Sequence, residues 1–136
     1  MGLKVHVHEP KIKIDDKTDI YLVNSFGKTK SFFSLIKNVF LGGSLINHGG
    51  QNPLEAVRYN CNILHGPNVS NFDEIYQFLN KHKISKKVKN LSQISSNLEK
   101  LLIYKKTKKN IKMTINLIGQ KILKKYMHEI NLILKK

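Results

Sequence analysis

The chain has 136 residues, 40% of them hydrophobic, and sets 24 Lys and Arg against nine Asp and Glu, a formal charge of +15. That length suits one small domain with its own core and is short for a two-domain enzyme. Cys61, the one cysteine, excludes an intrachain disulfide. No apolar run nears the roughly 20 residues that span a bilayer, and the first residues lack the pattern of a signal peptide, so a cytoplasmic chain is expected, soluble or peripheral.

The charge is unevenly placed. Residues 1–80 hold eight basic against seven acidic residues and residues 81–136 hold sixteen against two, so the C-terminal part carries +14 of the +15. Only Arg58 is an arginine, whereas specific phosphate and base-edge recognition favours the bidentate arginine fork, so no specific nucleic-acid partner is expected. A lysine-rich genome bias and a patch for an anionic membrane surface both account for such a tail.

In chain order, Lys4 to Val7 and Lys11 to Ile14 alternate polar and apolar residues as short extended pieces, with Glu9-Pro10 between them. His6 and His8 would share a strand face, and with no cysteine or carboxylate cluster to complete a metal site a solvated face is the better account. Asp15 to Asp19 reads as a turn, and Ile20 to Val23 as a strand apolar throughout, covered on both faces. Residues 28–37 read as a short helix turning Phe32, Phe33 and Ile36 to the sheet, before a strand at Val39-Phe40-Leu41. Strand, helix, strand is the parallel crossover unit.

Val39 to Glu55 then reads as strand, glycine loop and helix start, with Gly42, Gly43, Gly49 and Gly50 in the loop. Asn52 suits an N-cap and Pro53 the first helical position, so free N–H groups there would welcome an anion. The helix runs to about Tyr59. A strand follows at Asn62-Ile63-Leu64, a turn at His65-Gly66-Pro67, and a helix from Phe72 to about His82 capped by Asn71. Lys86 to Lys89 reads as an edge strand blunted by lysines. From Asn90 the pattern is helical to the end. One apolar stripe holds Leu91, Ile94, Leu98, Leu101 and Leu102, and another Ile111, Ile115, Ile118, Ile122, Tyr126, Ile130 and Ile133, spacings that usually face a core.

The expected fold is α/β: a parallel sheet of about four strands with flanking helices over residues 1–90, and a helical tail over 91–136 packed on the same domain. Ligands of such sheets bind at the carboxyl ends of the strands. Three loops rich in Gly, Asn and Ser emerge there, 24–28, 42–52 and 65–71. Neither a phosphate-loop Lys-Ser/Thr ending nor Gly-x-Gly-x-x-Gly is present, and Ser44 is not in a Gly-x-Ser-x-Gly elbow.

Gly42-Gly43-Ser44-Leu45, His48-Gly49-Gly50-Gln51-Asn52-Pro53-Leu54-Glu55, and His65-Gly66-Pro67-Asn68 followed by Asn71-Phe72 together resemble the 3-deoxy-D-manno-octulosonic acid (Kdo) transferases of lipid A assembly. That family's pattern is Gly-Gly-Ser-Leu, Gly-Gly-His-Asn-Pro-Leu-Glu, and Gly-Pro-His before Asn-Phe. The resemblance covers about residues 19–82. It implies a Rossmann-like sheet, here the latter part of the C-terminal domain of a GT-B glycosyltransferase, and transfer of Kdo from CMP-Kdo to lipid IVA without a bound catalytic metal or other cofactor. It implies that Asn52, Pro53, Leu54 and Glu55 contact the CMP part of the donor. Without the motif, Glu55 is better explained as a capping-box partner of Asn52. A second donor contact, Asp-Thr-Met-Gly-Glu in the family, corresponds to Asn24-Ser25-Phe26-Gly27-Lys28, which keeps Gly27, changes Phe26 mildly and reverses the charge at Lys28. Gly42, Gly43, Ser44, His48, Gly49 and Gly50 are expected as further donor-loop contacts. His48 and His65 have no paired carboxylate nearby in sequence, so they are expected to bind rather than transfer protons.

The family's acceptor domain, its general-base carboxylate and its Pro-Arg segment have no counterpart here. No catalytic residue is therefore assigned. The chain is expected to be incomplete for catalysis alone, to meet lipid IVA only through that absent domain at the cytoplasmic face of the inner membrane, and to expose a sheet edge where earlier strands belong. The alternatives are a nucleotide-sugar-binding module without transferase activity and a basic peripheral protein that binds anionic lipid or nucleic acid.

Overall fold

The computed structural model describes residues 2–103 and 111–134, the side chains of 111–115, 117, 118, 121, 122 and 125 excepted. Residues 104–110, 135 and 136, where the helical pattern was expected to continue, lie outside the described residues.

Among the described residues five strands form two parallel sheets. β1 (Val5–Val7) pairs with β2 (Ile20–Leu22), Val5 opposite Ile20. β3 (Asn38–Leu41), β4 (Asn62–His65) and β5 (Ser85–Lys87) make the second sheet in that order. The single sheet of about four strands expected from the sequence is thus divided between β2 and β3. Lys11 to Ile14 forms no strand: Lys11 takes φ +70° just after Pro10, which ends the extended run.

The second sheet holds the core because its crossovers are short and its strands apolar. α1 (Thr29–Leu35) precedes β3, α2 (Leu54–Arg58) precedes β4, and a 3-10 turn at Ser70–Phe72 leads into α3 (Asp73–Lys81) before β5. Ala56 and Val57 of α2, Tyr76 and Leu79 of α3, and Phe33 of α1 close over Val39, Leu41 and Ile63 of the strands, with Cys61, Val69 and Ile84 between them. Fully burying one such side chain contributes roughly 1.5–3 kcal/mol. Leu64 also disappears from solvent. It lines an open cleft of about 690 Å³ together with Lys86 of β5 and with Asn97 and Leu101 of α4 (Leu91–Ile103).

The first sheet has no comparable cover. Ile20 and Leu22, expected to be buried on both sides, are 41% and 50% exposed, because α1 lies on the Tyr21 face and, among the described residues, nothing buries the other. On the covered face Tyr21 lies beneath Phe32, with ring centroids 6.2 Å apart. His6 stacks on Tyr21 and His8 meets it edge-on through a hydrogen bond between its Nδ1 and the Tyr21 hydroxyl, so these histidines pack rather than face water. Among the described residues no group of His, Cys, Asp and Glu could hold a metal ion. Ile36, past the end of α1, is 40% exposed.

The tail is helical where described. The α4 stripe is only half realised: Ile94, Leu98 and Leu101 are half-buried, whereas Leu91 and Leu102 are exposed. α5 (Ile111–Leu134) touches α2. Its Tyr126, Ile130 and Ile133, expected to face a core, are exposed among the described residues. The side chains of Ile111, Ile115, Ile118 and Ile122 fall outside the description. Among the described residues no helix is long and apolar enough to cross a membrane.

Candidate functional site

β3 and β4 end side by side, and their loops are tied together at Ser44. Its buried hydroxyl donates to Leu41 O at 2.6 Å and accepts from the Gly66 N–H at 2.8 Å, while Ser44 O accepts from the Asn68 N–H at 2.9 Å. Gly66 is required by this approach, since a Cβ there would stand 2.1 Å from Ser44 O.

The glycine loop then folds back on itself. Gly50 N–H donates to Gly43 O at 3.2 Å, and Asn71 N–H donates to Gly49 O at 3.2 Å. Gly49 takes φ +86°, and a Cβ on it would lie 2.4 Å from the Asn71 amide nitrogen. Asn71 therefore closes on the loop rather than capping α3, whose N-cap is Phe72 with no side-chain hydrogen bond. Gln51 O accepts from the Tyr76 hydroxyl at 2.8 Å, fixing the chain just ahead of α2. Burial raises the Tyr76 pKa to about 12, so this donor keeps its proton. Asn52 Oδ1 accepts from Leu54 N–H at 3.0 Å, but α2 begins at Leu54 with Pro53, not Asn52, as its N-cap, one residue later than expected.

Glu55 emerges half-buried in the first turn of α2. The capping box does not form: among the described residues its carboxylate has neither a hydrogen bond nor an ion pair. It lines an open cleft of about 740 Å³ with Lys30 of α1, Arg58 and Tyr59, and Asn116, Gly119, Gln120 and Leu123 of α5. Lys30 and Arg58 are likewise without an ion-pair partner among the described residues. Two cations beside one carboxylate suit a ligand that offers both anionic oxygens and hydroxyl donors.

The other expected contacts are distributed more widely. His48 is exposed and its ring lies against Gly43, whose Cβ position is 3.1 Å from His48 Cδ2. His65 is buried with its ring 4.3 Å from that of Tyr76 and its nitrogens near Gly66 O and Asn80 Oδ1. Burial lowers its pKa and holds it neutral, a structural position out of a ligand's reach. Gly42 is exposed at the start of the loop. Phe26, Gly27 and Lys28 form a separate exposed turn. Phe26 is wholly in solvent, Gly27 takes φ +80° with open space around it, and Lys28 is the backbone N-cap of α1. None of residues 26–28 is among the described residues that line the cleft, which Lys30 of α1 does. Sequence reading did not single out Lys30, Arg58 or α5. The spacing of Glu55 and Arg58, three apart on one helix face, was a usable signal for Arg58.

A parallel α/β unit with flanking helices and knitted glycine loops at the carboxyl ends of its strands is of the Rossmann-like class. Within that class the chain is similar in sequence and fold to the 3-deoxy-D-manno-octulosonic acid transferases. The transferase of Haemophilus influenzae is 34% identical over 65 residues, 48% of this chain and 15% of the relative. That of Aquifex aeolicus is 32% identical over 72 residues, 53% of this chain and 20% of the relative. The C-terminal CMP-Kdo binding domain of WaaA from Acinetobacter baumannii, seen in a crystal structure, superposes with a TM-score of 0.70 and 26% identity, covering 74% of this chain and 53% of that one. The chain thus spans a fifth or less of these two curated relatives and about half of the solved domain. No protein-family model matches it.

Proposed function

We propose that this chain binds the CMP part of CMP-Kdo and serves as donor-binding portion of a Kdo transferase in lipid A assembly. Glu55 carries the reading: a half-buried carboxylate at the helix start behind the glycine loop, unpartnered among the described residues, in a cleft that Lys30 and Arg58 also line. The carboxylate accepts from ribose hydroxyls, and the two cations take the anionic oxygens. Asn52, Pro53 and Leu54 set the direction of that helix, and the clamp of Ser44, Gly66 and Asn71 fixes the loop before it. The likeness to a CMP-Kdo binding domain supports the donor. Phe26, Gly27 and Lys28, in the turn before α1, are proposed as a second donor contact on the family motif alone. Transfer to lipid IVA, at the cytoplasmic face of the inner membrane, draws its acceptor surface and general base from outside these residues.

Calorimetry with CMP on the full chain tests this. Hydrogen bonds to a charged group contribute about 1.5–3 kcal/mol, so Glu55→Gln weakens CMP by about 10- to 100-fold with folding unchanged. Equal affinity in the variant, or no binding by the folded wild type, removes the reading. A membrane-surface role has one observation of its own, the exposed Tyr126, Ile130 and Ile133 in the basic region. Cosedimentation with vesicles containing anionic lipid, lost in 0.5-molar-class salt, would mark it.

A further inference from the structure

The cleft between the second sheet and α4 shares no lining residue with the one beside Glu55. Leu64 of β4 and Lys86 of β5 stand opposite each other in the ladder. Ile63, Leu64 and Ile84 are buried and supply much of the apolar lining. From the other side α4 brings Asn97, Lys100 and Leu101, three and four positions apart and so on one helix face.

The uncharged polar side chains of this cleft are already engaged within the protein. Asn62 Nδ2 donates to Asn38 Oδ1 at 2.8 Å, Ser85 Oγ donates to Asn80 Oδ1 at 2.7 Å, and Asn97 Nδ2 donates to Gln93 O at 2.6 Å. A ligand therefore meets mainly hydrocarbon and ammonium. Lys86, Lys87 and Lys100 are exposed and have no ion pair among the described residues, and no acidic residue is among those lining the cleft. Lysine stems extend an apolar wall while their charges stay in water. The opening, about 690 Å³, is of the size of small-molecule sites. Its charge disfavours occupants from this protein itself: a second copy carries +15, and residues 104–110 include four lysines. Leu64, at 1% exposure, is too recessed to dip into a bilayer, so the occupant arrives as a single molecule.

We propose that this cleft binds a free single-chain amphiphile with an anionic head, a long-chain carboxylate, whose hydrocarbon lies against Leu64, Ile84 and Leu101 and whose carboxylate sits among Lys86, Lys87 and Lys100. Apolar burial sets the affinity, and the lysines select the charged head.

Calorimetry on the full chain with octanoate, decanoate and dodecanoate, each below its micelle concentration, tests this. Each buried methylene is worth about fourfold in affinity, so two are expected to raise it about tenfold or more. Lys86→Glu is expected to weaken dodecanoate by about tenfold and Leu101→Glu by more, whereas Lys124→Glu, at an exposed position on α5, leaves it unchanged. Should Leu101→Glu unfold, the exposed Lys86 variant decides by itself. No binding by the folded wild type, equal affinity along the series, an uncharged dodecyl glycoside bound as tightly, or an equal loss with Lys124→Glu would overturn the proposal. So would capture by vesicles of anionic lipid, or by a glutamate-rich peptide, without binding of the free carboxylate.

Discussion

Gly66 and Ser44 form the tightest contact between the two loops, and their roles are separable by mutation. A Cβ at position 66 would fall 2.1 Å from a backbone oxygen, which no rotamer change relieves. Gly66→Ala is expected to cost about 1–3 kcal/mol or more as β3 and β4 are forced apart, seen as a lowered denaturant midpoint. Ser44→Ala leaves the buried Gly66 N–H without its acceptor and is expected to cost about 1–3 kcal/mol. His65 gives a pH signature. Its folded pKa lies below the ordinary 6.5, so below that value the unfolded chain binds the extra proton and stability falls with pH until the folded pKa is passed. Between pH 7 and 5 the wild type should lose melting temperature. His65→Gln, which cannot take up a proton there, should lose less. The glycine positions were legible from the sequence, but the reasons differ: Gly49 and Gly50 need positive φ, whereas Gly66 needs space. The sequence cannot distinguish these, because the space at Gly66 is taken by a residue 22 positions away.

At the level of elements, α3 acts on the site without entering it. The Tyr76 hydroxyl holds Gln51 O, and α2 with Glu55 starts just beyond. Tyr76→Phe is expected to cost about 1 kcal/mol of stability and to weaken CMP binding less than Glu55→Gln does; thermal melts alongside calorimetry check both. Strands β3 and β4 and helices α1, α2 and α3 were legible within one or two residues, because apolar runs alternate there with turn residues at short spacing. Asn71 was misread as a cap because Asn favours helix starts by intrinsic chemistry, and only the fold reveals that Gly49 competes for it. Glu55 is assigned to the donor only through the surrounding motif. Spacing alone favoured the capping box, which does not form.

For the whole molecule, the division into two sheets is what the sequence concealed. Ile20 to Val23 has the composition of a buried central strand, but the cover on both faces expected from it is not found, with Ile20 and Leu22 exposed. What provides the cover is not a property of those residues. The helical stripes erred in the same way: periodicity locates an apolar face but not a partner, so α4 is half-packed and the described end of α5 is bare. The cleft beside Glu55 was beyond sequence reading, since it takes residues from α1, α2 and α5.

The β1–β2 pair contains no buried hydrophobic residue, and its ladder is only three residues long on each side. The three-stranded unit carries the core and is built from neighbouring segments, which favours rapid closure. Order of synthesis and order of folding are therefore opposed: the ribosome releases β1 and β2 first, yet they have nothing to settle on until α1 has docked against strands made later. Until then the β1–β2 segment is expected to stay open to protease on stalled nascent chains, and its protection should follow the translation of codons 38 to 88 rather than its own.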